Sequence, residues 1–365
     1  MNLPSKPIQA LAGFMLVLSL AYFHRLPGAP RSGSYLAEVG TPALALGLAD
    51  SRGVLRREVT GVRVQGRPEE AAPGDQWALG ASAKTLTATL AAVLEEQGRI
   101  RWDSRVQDVL PGLRGILPDY GQVTLEQLLT HHAGIVSPRV EDWPALAGGL
   151  HQMRLQAAEW LLRQPPAGPP GRAFVYSNEG YVIAAAMLEE AAGEPWEQAV
   201  AHRVLEPLGL RAKIGPPGQG DPRQPWGHRQ EGGRWRAVDP APVPSPVEQV
   251  LAPAGALVSM PLDDILAWAQ INLRGLRGIP CAVLNSVDFQ KLHTPADPNG
   301  YGLGWVRDTL RGRPVSWHSG STGSLASYII LDPTRDRALV LLANGETPQG
   351  EVPGALAKLA REILD

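Results

Sequence analysis

The chain has 365 residues, 44% apolar and 19% charged, enough for one large core or two subdomains. A formal net charge of −2 leaves no electrostatic basis for binding nucleic acid. With 40 glycines and 34 prolines beside that apolar content, the composition indicates many turns in a long-looped, enzyme-like fold rather than disorder. The single cysteine, Cys281, excludes an internal disulfide and reads as a small buried hydrophobe. No Cys/His cluster has metal-ligand spacing, so neither a metal nor a cofactor is expected.

In chain order, Lys6 precedes an apolar run over residues 8–23, followed by His24 and Arg25. Residues 1–25 therefore read as an export signal, with Ser19-Leu20-Ala21 allowing cleavage after Ala21, or as an uncleaved anchor that tethers the protein to a membrane. The run is short for a spanning helix, which needs about 20 residues. Either way the protein is expected outside the cytoplasm, in the periplasm or another extracytoplasmic space. Residues 26–37 read as a Pro/Gly/Ser linker, and residues 38–365 as the folded domain.

Residues 43–48 and 54–62 are strand-like runs joined by Asp50-Ser51-Arg52-Gly53, a hairpin signal. A helix is expected from about Lys84 to Gln97, because Leu86, Leu90, Val93 and Leu94 fall on one stripe and Gly98 follows as its terminator. Lys84 is an odd choice for a first turn, where a cation opposes the helix dipole. It is odder in a chain with only five lysines among 34 basic residues. Lysine, unlike arginine, can lose its proton when desolvated, as a general base must.

Thr124 and Gln127 have the spacing of a capping box. The adjacent His131 and His132 point to different faces and do not make a ligand pair. The proline cluster over residues 168–171 ends one helix. Tyr176-Ser177-Asn178 then stands at the entry to the next, whose apolar face runs Tyr181, Ala184, Ala185, Leu188. Residues 215–250 are low in pattern and rich in Pro, Gly and Arg. A helix is expected over 263–273, with Asp263 and Asp264 suited to its first turn. Strands are expected over 301–306 and 314–317, leading into His318-Ser319-Gly320-Ser321, and again over 328–331 and 338–342. An amphipathic helix over 352–364 closes the chain. With strand signals at both ends, the expected class is α/β (α+β). An antiparallel sheet built from both chain ends is covered by helices on both faces, with a mainly helical subdomain inserted over about residues 100–270.

Three motifs now carry a resemblance. The segment Ala81-Ser82-Ala83-Lys84, the triplet Tyr176-Ser177-Asn178 and the triplet His318-Ser319-Gly320 come in that order. They resemble the Ser-x-x-Lys, Tyr-x-Asn and Lys/His-Ser/Thr-Gly motifs of the serine β-lactamase and penicillin-binding-protein superfamily. The closest resemblance is to its class C β-lactamase-like branch, which also holds D-alanyl-D-alanine carboxypeptidases and esterases. Residues 99–106, 123–134, 168–181 and 206–210 match as well, so the resemblance covers about residues 38–365. It implies a β-lactamase/transpeptidase-like fold, a structural role for His131, and a substrate entrance lined by residues 215–250.

The resemblance also implies roles and a ligand class: a small molecule or peptide such as a β-lactam, a peptidoglycan peptide or an ester. Lys84 and Tyr176 would manage the proton of the nucleophile, with the Lys84 amine within hydrogen-bonding reach of the Tyr176 oxygen. Asn178 would contact the substrate amide, and His318, Ser319 and Gly320 would form the strand beside the substrate. The backbone N–H groups of Ala81 and Ser321 would polarise its carbonyl.

At the nucleophile the chain departs from the pattern: Ala81 stands where the family has serine. Ser82 lies about 100° further round the helix and two residues from Lys84, so its hydroxyl is expected to point away from the base. The leading expectation is a protein that binds a carbonyl or amide ligand but lacks acyl-enzyme turnover. The alternatives are an active hydrolase with a displaced nucleophile such as Ser82, or with water activated at Lys84 and Tyr176, and an engineered Ser→Ala variant.

Overall fold

A computed structural model describes residues 32–365, so the signal or anchor reading of residues 1–25 lies outside the described residues. Helix α1 (Ser32–Val39) precedes the hairpin of β1 (Ala43–Ala49) and β2 (Val54–Gly61). Strand β3 (Gln76–Ala78) and one turn of 3-10 helix (Gly80–Ala83) lead directly into α2 (Lys84–Glu96). The next stretch is helical: α3 (Val106–Val109), α4 (Leu125–Leu129), α5 (Leu150–Leu161), α6 (Asn178–Ala192) and α7 (Trp196–Val200). Strand β4 (Lys213–Ile214), the hairpin β5 (Gly227–Glu231) and β6 (Arg234–Val238), α8 (Pro246–Val250) and β7 (Val258–Pro261) follow, then α9 (Leu262–Leu276) and α10 (Ser286–Leu292). Strands β8 (Val306–Leu310), β9 (Arg313–Ser321), β10 (Ala326–Asp332) and β11 (Arg337–Ala343) lead to the closing helix α11 (Val352–Leu364).

Strands from the two chain ends meet in one six-stranded antiparallel sheet, ordered β2-β1-β11-β10-β9-β8. The join is β1 to β11, in register from Leu44↔Ala343 to Ala49↔Ala338. Side chains alternate across it, as a pleated strand requires. Leu44, Leu46, Leu339 and Leu341 enter a core beneath α1 and α11, whereas Ala45, Val340 and Leu342 enter the larger core beneath α2 and α9. At Gly47 a Cβ would lie 3.0 Å from Leu266, which shows how closely α9 packs on β1. The expected sheet with helices on both faces is therefore found.

Several boundaries differ from the sequence expectation. The linker expected over 26–37 gives way at Ser32 to α1, because Tyr35 is buried against the sheet. The strand expected over 301–306 starts only at Val306. Tyr301 makes an isolated bridge to Val306, and Gly302 donates its N–H to the Trp305 carbonyl, closing a turn where a strand was expected. The low-pattern stretch 215–250 holds the β5–β6 hairpin and α8, the latter with a capping box at Ser245 and Glu248. Helix α2 is buried on nearly every side up to Leu94, so its apolar stripe understates its burial. The Thr124–Gln127 capping box is present, and Cys281 is partly buried against the larger core. Among the described residues no helix is long and apolar enough to cross a membrane.

Candidate functional site

The turn that carries Ala81 is fixed from both sides. Leu79 donates its N–H to Val258 on β7 at 2.8 Å, and its carbonyl accepts from the Ser327 hydroxyl on β10 at 2.6 Å. The turn then lies directly against β9. Gly320 shows how directly: a Cβ there would sit 2.0 Å from the Leu79 carbonyl oxygen and 2.8 Å from the Ala81 nitrogen. Gly80 adopts φ +51°, and a Cβ on it would lie 2.5 Å from the Ser321 nitrogen. Two glycines thus let backbone touch backbone, bringing Ala81 to the end of β9.

Tyr176 and Asn178 are placed by a second local structure. His131 takes φ +61° and turns the chain after α4. Its carbonyl accepts from Val175 N–H at 2.8 Å, and its Nδ1 accepts from Ser177 N–H at 3.2 Å. Nε2 therefore carries the ring proton. Burial, with the nearby Lys84 charge second, holds His131 well below the ordinary histidine range. The ring lies 4.2 Å from that of Tyr176, centroid to centroid. Ser177 then caps α6, its hydroxyl accepting from Gly180 N–H at 3.2 Å, so the helix starts at Asn178. His131 is thus a framework residue.

The third element is the free end of β9. Its pairing with β8 stops at Val306↔Trp317, while its pairing with β10 runs on to Ser321↔Ala326. Residues 318–321 consequently present one unpaired strand edge. His318 is turned inward, with Nδ1–H donating to the Ser319 carbonyl at 2.7 Å and Nε2 accepting from the Tyr301 hydroxyl at 3.0 Å. Burial, and the Lys84 charge after it, pull its pKa down to about 3, so the ring is neutral at physiological pH.

A cleft of about 620 Å3 opens between these elements, lined by Ala81, Tyr176, Asn178, His318, Ser319, Gly320 and Ser321 among others. Lys84 lies beneath the lining and is fully buried. Its amine donates to Asn178 Oδ1 at 2.6 Å and to the Ala254 carbonyl at 2.9 Å. Burial brings its pKa down to about 7, against a smaller opposing pull from the Glu179 carboxylate. A base poised there can exchange a proton near neutral pH. The expected hydrogen bond to Tyr176 is not made. The amine instead bonds Asn178 and Ala254 and faces the tyrosine ring, 5.0 Å from its centroid. Burial, with Glu179 second, pushes the Tyr176 phenol above its ordinary value although 43% of the residue is exposed.

Ser82 is sealed in. Its Oγ lies 2.9 Å from Ser327 Oγ and 3.4 Å from the His318 carbonyl, under the sheet and away from the Lys84 amine.

Sequence reasoning missed three contributors. Glu179 is buried and accepts from the hydroxyls of Ser137 and Ser177 at 2.7 and 3.0 Å. Its place in the first turn of α6 was the available signal. Ala254 acts through a backbone carbonyl, which no side chain announces. Tyr301 is buried among His131, Phe174, Tyr176 and His318. Among the described residues no group of His, Cys, Asp and Glu could hold a metal ion.

Comparison with known proteins bears on the family and the fold. The family model described as Beta-lactamase matches residues 33–362. The chain is similar to Penicillin-binding protein 4 of Amycolatopsis lactamdurans, 28% identical over 78% of this chain and 75% of that protein. It is similar to a Beta-lactamase of Escherichia coli (strain K12), 25% identical over 74% of this chain and 75% of that protein. In fold it is like the class C beta lactamase from Rhodobacter sphaeroides, with a TM-score of 0.69, 23% identity, and coverage of 91% of this chain and 98% of that one.

Proposed function

This chain belongs to the beta-lactamase family, and from that premise we propose that it binds a carbonyl or amide ligand without forming an acyl-enzyme. The ligand class is a β-lactam, in keeping with the names of its penicillin-binding and β-lactamase relatives, or, on the motif resemblance, a D-Ala-D-Ala peptide or an ester. The observation that carries this reading is the methyl group of Ala81, which lines the cleft at the head of the Lys84 helix while Ser82 is sealed beneath the sheet. A serine hydroxyl becomes a useful nucleophile only beside a base. Here the base position is kept and the hydroxyl is not.

The remaining parts support binding. The ligand's amide runs along the unpaired edge of residues 318–321 and meets Asn178 on the other wall. Its carbonyl sits between the backbone N–H groups of Ala81 and Ser321, which a change of side chain leaves in place. Lys84 and Tyr176 hold the proton-handling positions with no serine to serve. We place the protein outside the cytoplasm, with residues 1–25 as the export signal or as a membrane tether.

The test is calorimetric titration with acetyl-D-Ala-D-Ala, followed by recovery of the peptide. Saturable binding with the peptide recovered intact is expected. Steady release of D-alanine would overturn the reading.

A further inference from the structure

We propose, resting on the ligand reading above, that the Ser321 end of the cleft recognises a hydrogen-bond donor, a carboxamide or an ammonium, and disfavours a carboxylate. Ser321 is exposed in the cleft at the last position of β9. Its hydroxyl proton is already committed, donated to Glu346 Oε2 at 2.8 Å. The same oxygen accepts from Gly323 N–H at 3.0 Å. A hydroxyl has one proton to give, so only a lone pair remains for a ligand.

Glu346 sets this polarity. It is 2% exposed, and its other oxygen accepts from the N–H groups of Thr347 and Val352 at 2.9 and 3.0 Å. The carboxylate therefore receives donors only and ties the end of β9 to the start of α11. A ligand carboxylate at Ser321 would meet an oxygen lone pair with a buried negative charge behind it, where screening by water is weak. Glu248 adds a second carboxylate to the cleft wall, and no lysine or arginine is among the lining side chains. Arg229 reaches this end of the strand, where its Nε–H is donated to the Gly323 carbonyl at 3.2 Å, but its side chain is solvent-exposed and its charge is screened by water, unlike that of Glu346. Lys84 is fully buried with its amine bonded to Asn178 and Ala254. Specificity by charge mismatch needs no more than this.

The experiment compares acetyl-D-Ala-D-Ala with its C-terminal carboxamide by calorimetry on the unaltered protein. The carboxamide is expected to bind about tenfold more tightly, the scale of one mismatched charged hydrogen bond. In Glu346→Gln the new amide can donate to Ser321, freeing the hydroxyl proton for the ligand, so the preference should fall to about threefold or less. Ser321→Ala, which keeps the backbone N–H, should lower it too and covers the case in which the glutamine variant fails to fold. Equal binding of the two peptides, or a ratio unchanged in the variants, overturns this inference alone. Failure of both peptides to bind overturns the ligand reading itself, and this inference falls with it.

Discussion

Lys84 donates to Asn178 Oδ1 at 2.6 Å, which joins the first residue of α2 to the first residue of α6. Two helix N-termini thus meet at one amine. Their dipoles disfavour a cation there and act in the same direction as burial.

The first prediction is a pH dependence. An unfolded lysine keeps its proton up to its ordinary pKa of 10.5, whereas the folded Lys84 releases it at about 7. Between those values the unfolded chain binds the extra proton, so folding stability from this group rises with pH. Below about pH 7 both states are protonated and the contribution is flat. Urea unfolding of the unaltered protein and of Lys84→Met should therefore show the unaltered protein gaining stability on the variant from about pH 7 towards 10.5. A difference independent of pH in that window would contradict the assignment.

A second prediction concerns the network under α8. Arg154 is fully buried and bonded to Glu189 and Glu197, and it also reaches the carbonyls of Gln249 and Val250. Those carbonyls lie just before the turn whose Ala254 oxygen holds Lys84. Replacing Arg154 with leucine takes the guanidinium away from Glu189, which keeps only His151 and the Trp196 N–H as partners, and breaking a buried ion pair costs about 3–5 kcal/mol. Chemical denaturation should record that loss, with weaker ligand binding where the variant still folds. An unchanged midpoint would rule the network out as a support.

Of the fold, what could be read in the sequence was what periodicity and spacing encode. The apolar runs of β1 and β11, the stripe of α2 and the three motifs all lie in the text. Other features depend on contacts made by distant chain segments. Helix α1 is held by one buried aromatic, Tyr35, in otherwise linker-like sequence. The β5–β6 hairpin pairs Arg229 with Arg236 and Gln230 with Trp235, which gives no apolar alternation to read. At the site, Ala81, Tyr176, Asn178 and residues 318–320 line one cleft with Lys84 buried beneath it, but the expected Lys84–Tyr176 bond does not form. A backbone carbonyl and an amide, Ala254 and Asn178, take the amine instead. Backbone acceptors have no sequence signature.

Gly320→Ala gives the third prediction. The added methyl would lie 2.0 Å from the Leu79 carbonyl oxygen and 2.8 Å from the Ala81 nitrogen, and both are backbone atoms that cannot rotate aside. Overpacking of this kind costs about 1–3 kcal/mol. Thermal unfolding should fall accordingly, and ligand binding should weaken because the Ala81 N–H is displaced. Binding at full strength would mean that the contact between the turn and β9 does not shape the site.

Ser82→Ala is the fourth. The Ser327 proton is donated to the Leu79 carbonyl, so the Ser82 hydroxyl donates to Ser327 Oγ at 2.9 Å, within the protein. The change should cost about 1 kcal/mol of stability, the worth of a buried hydrogen bond, and leave ligand affinity intact. A loss of binding larger than the loss of stability would place Ser82 in the site after all.

The most direct test of the account is covalent labelling with a fluorescent penicillin, read by intact mass, on the unaltered protein and on Ala81→Ser. Loss of a serine nucleophile typically lowers turnover on the order of 10⁶-fold. The unaltered protein should therefore carry no adduct, and Ala81→Ser should gain one at residue 81. An adduct on the unaltered protein, or an Ala81→Ser variant that folds and binds but stays unlabelled, would contradict the claim that a single missing hydroxyl separates this site from its relatives.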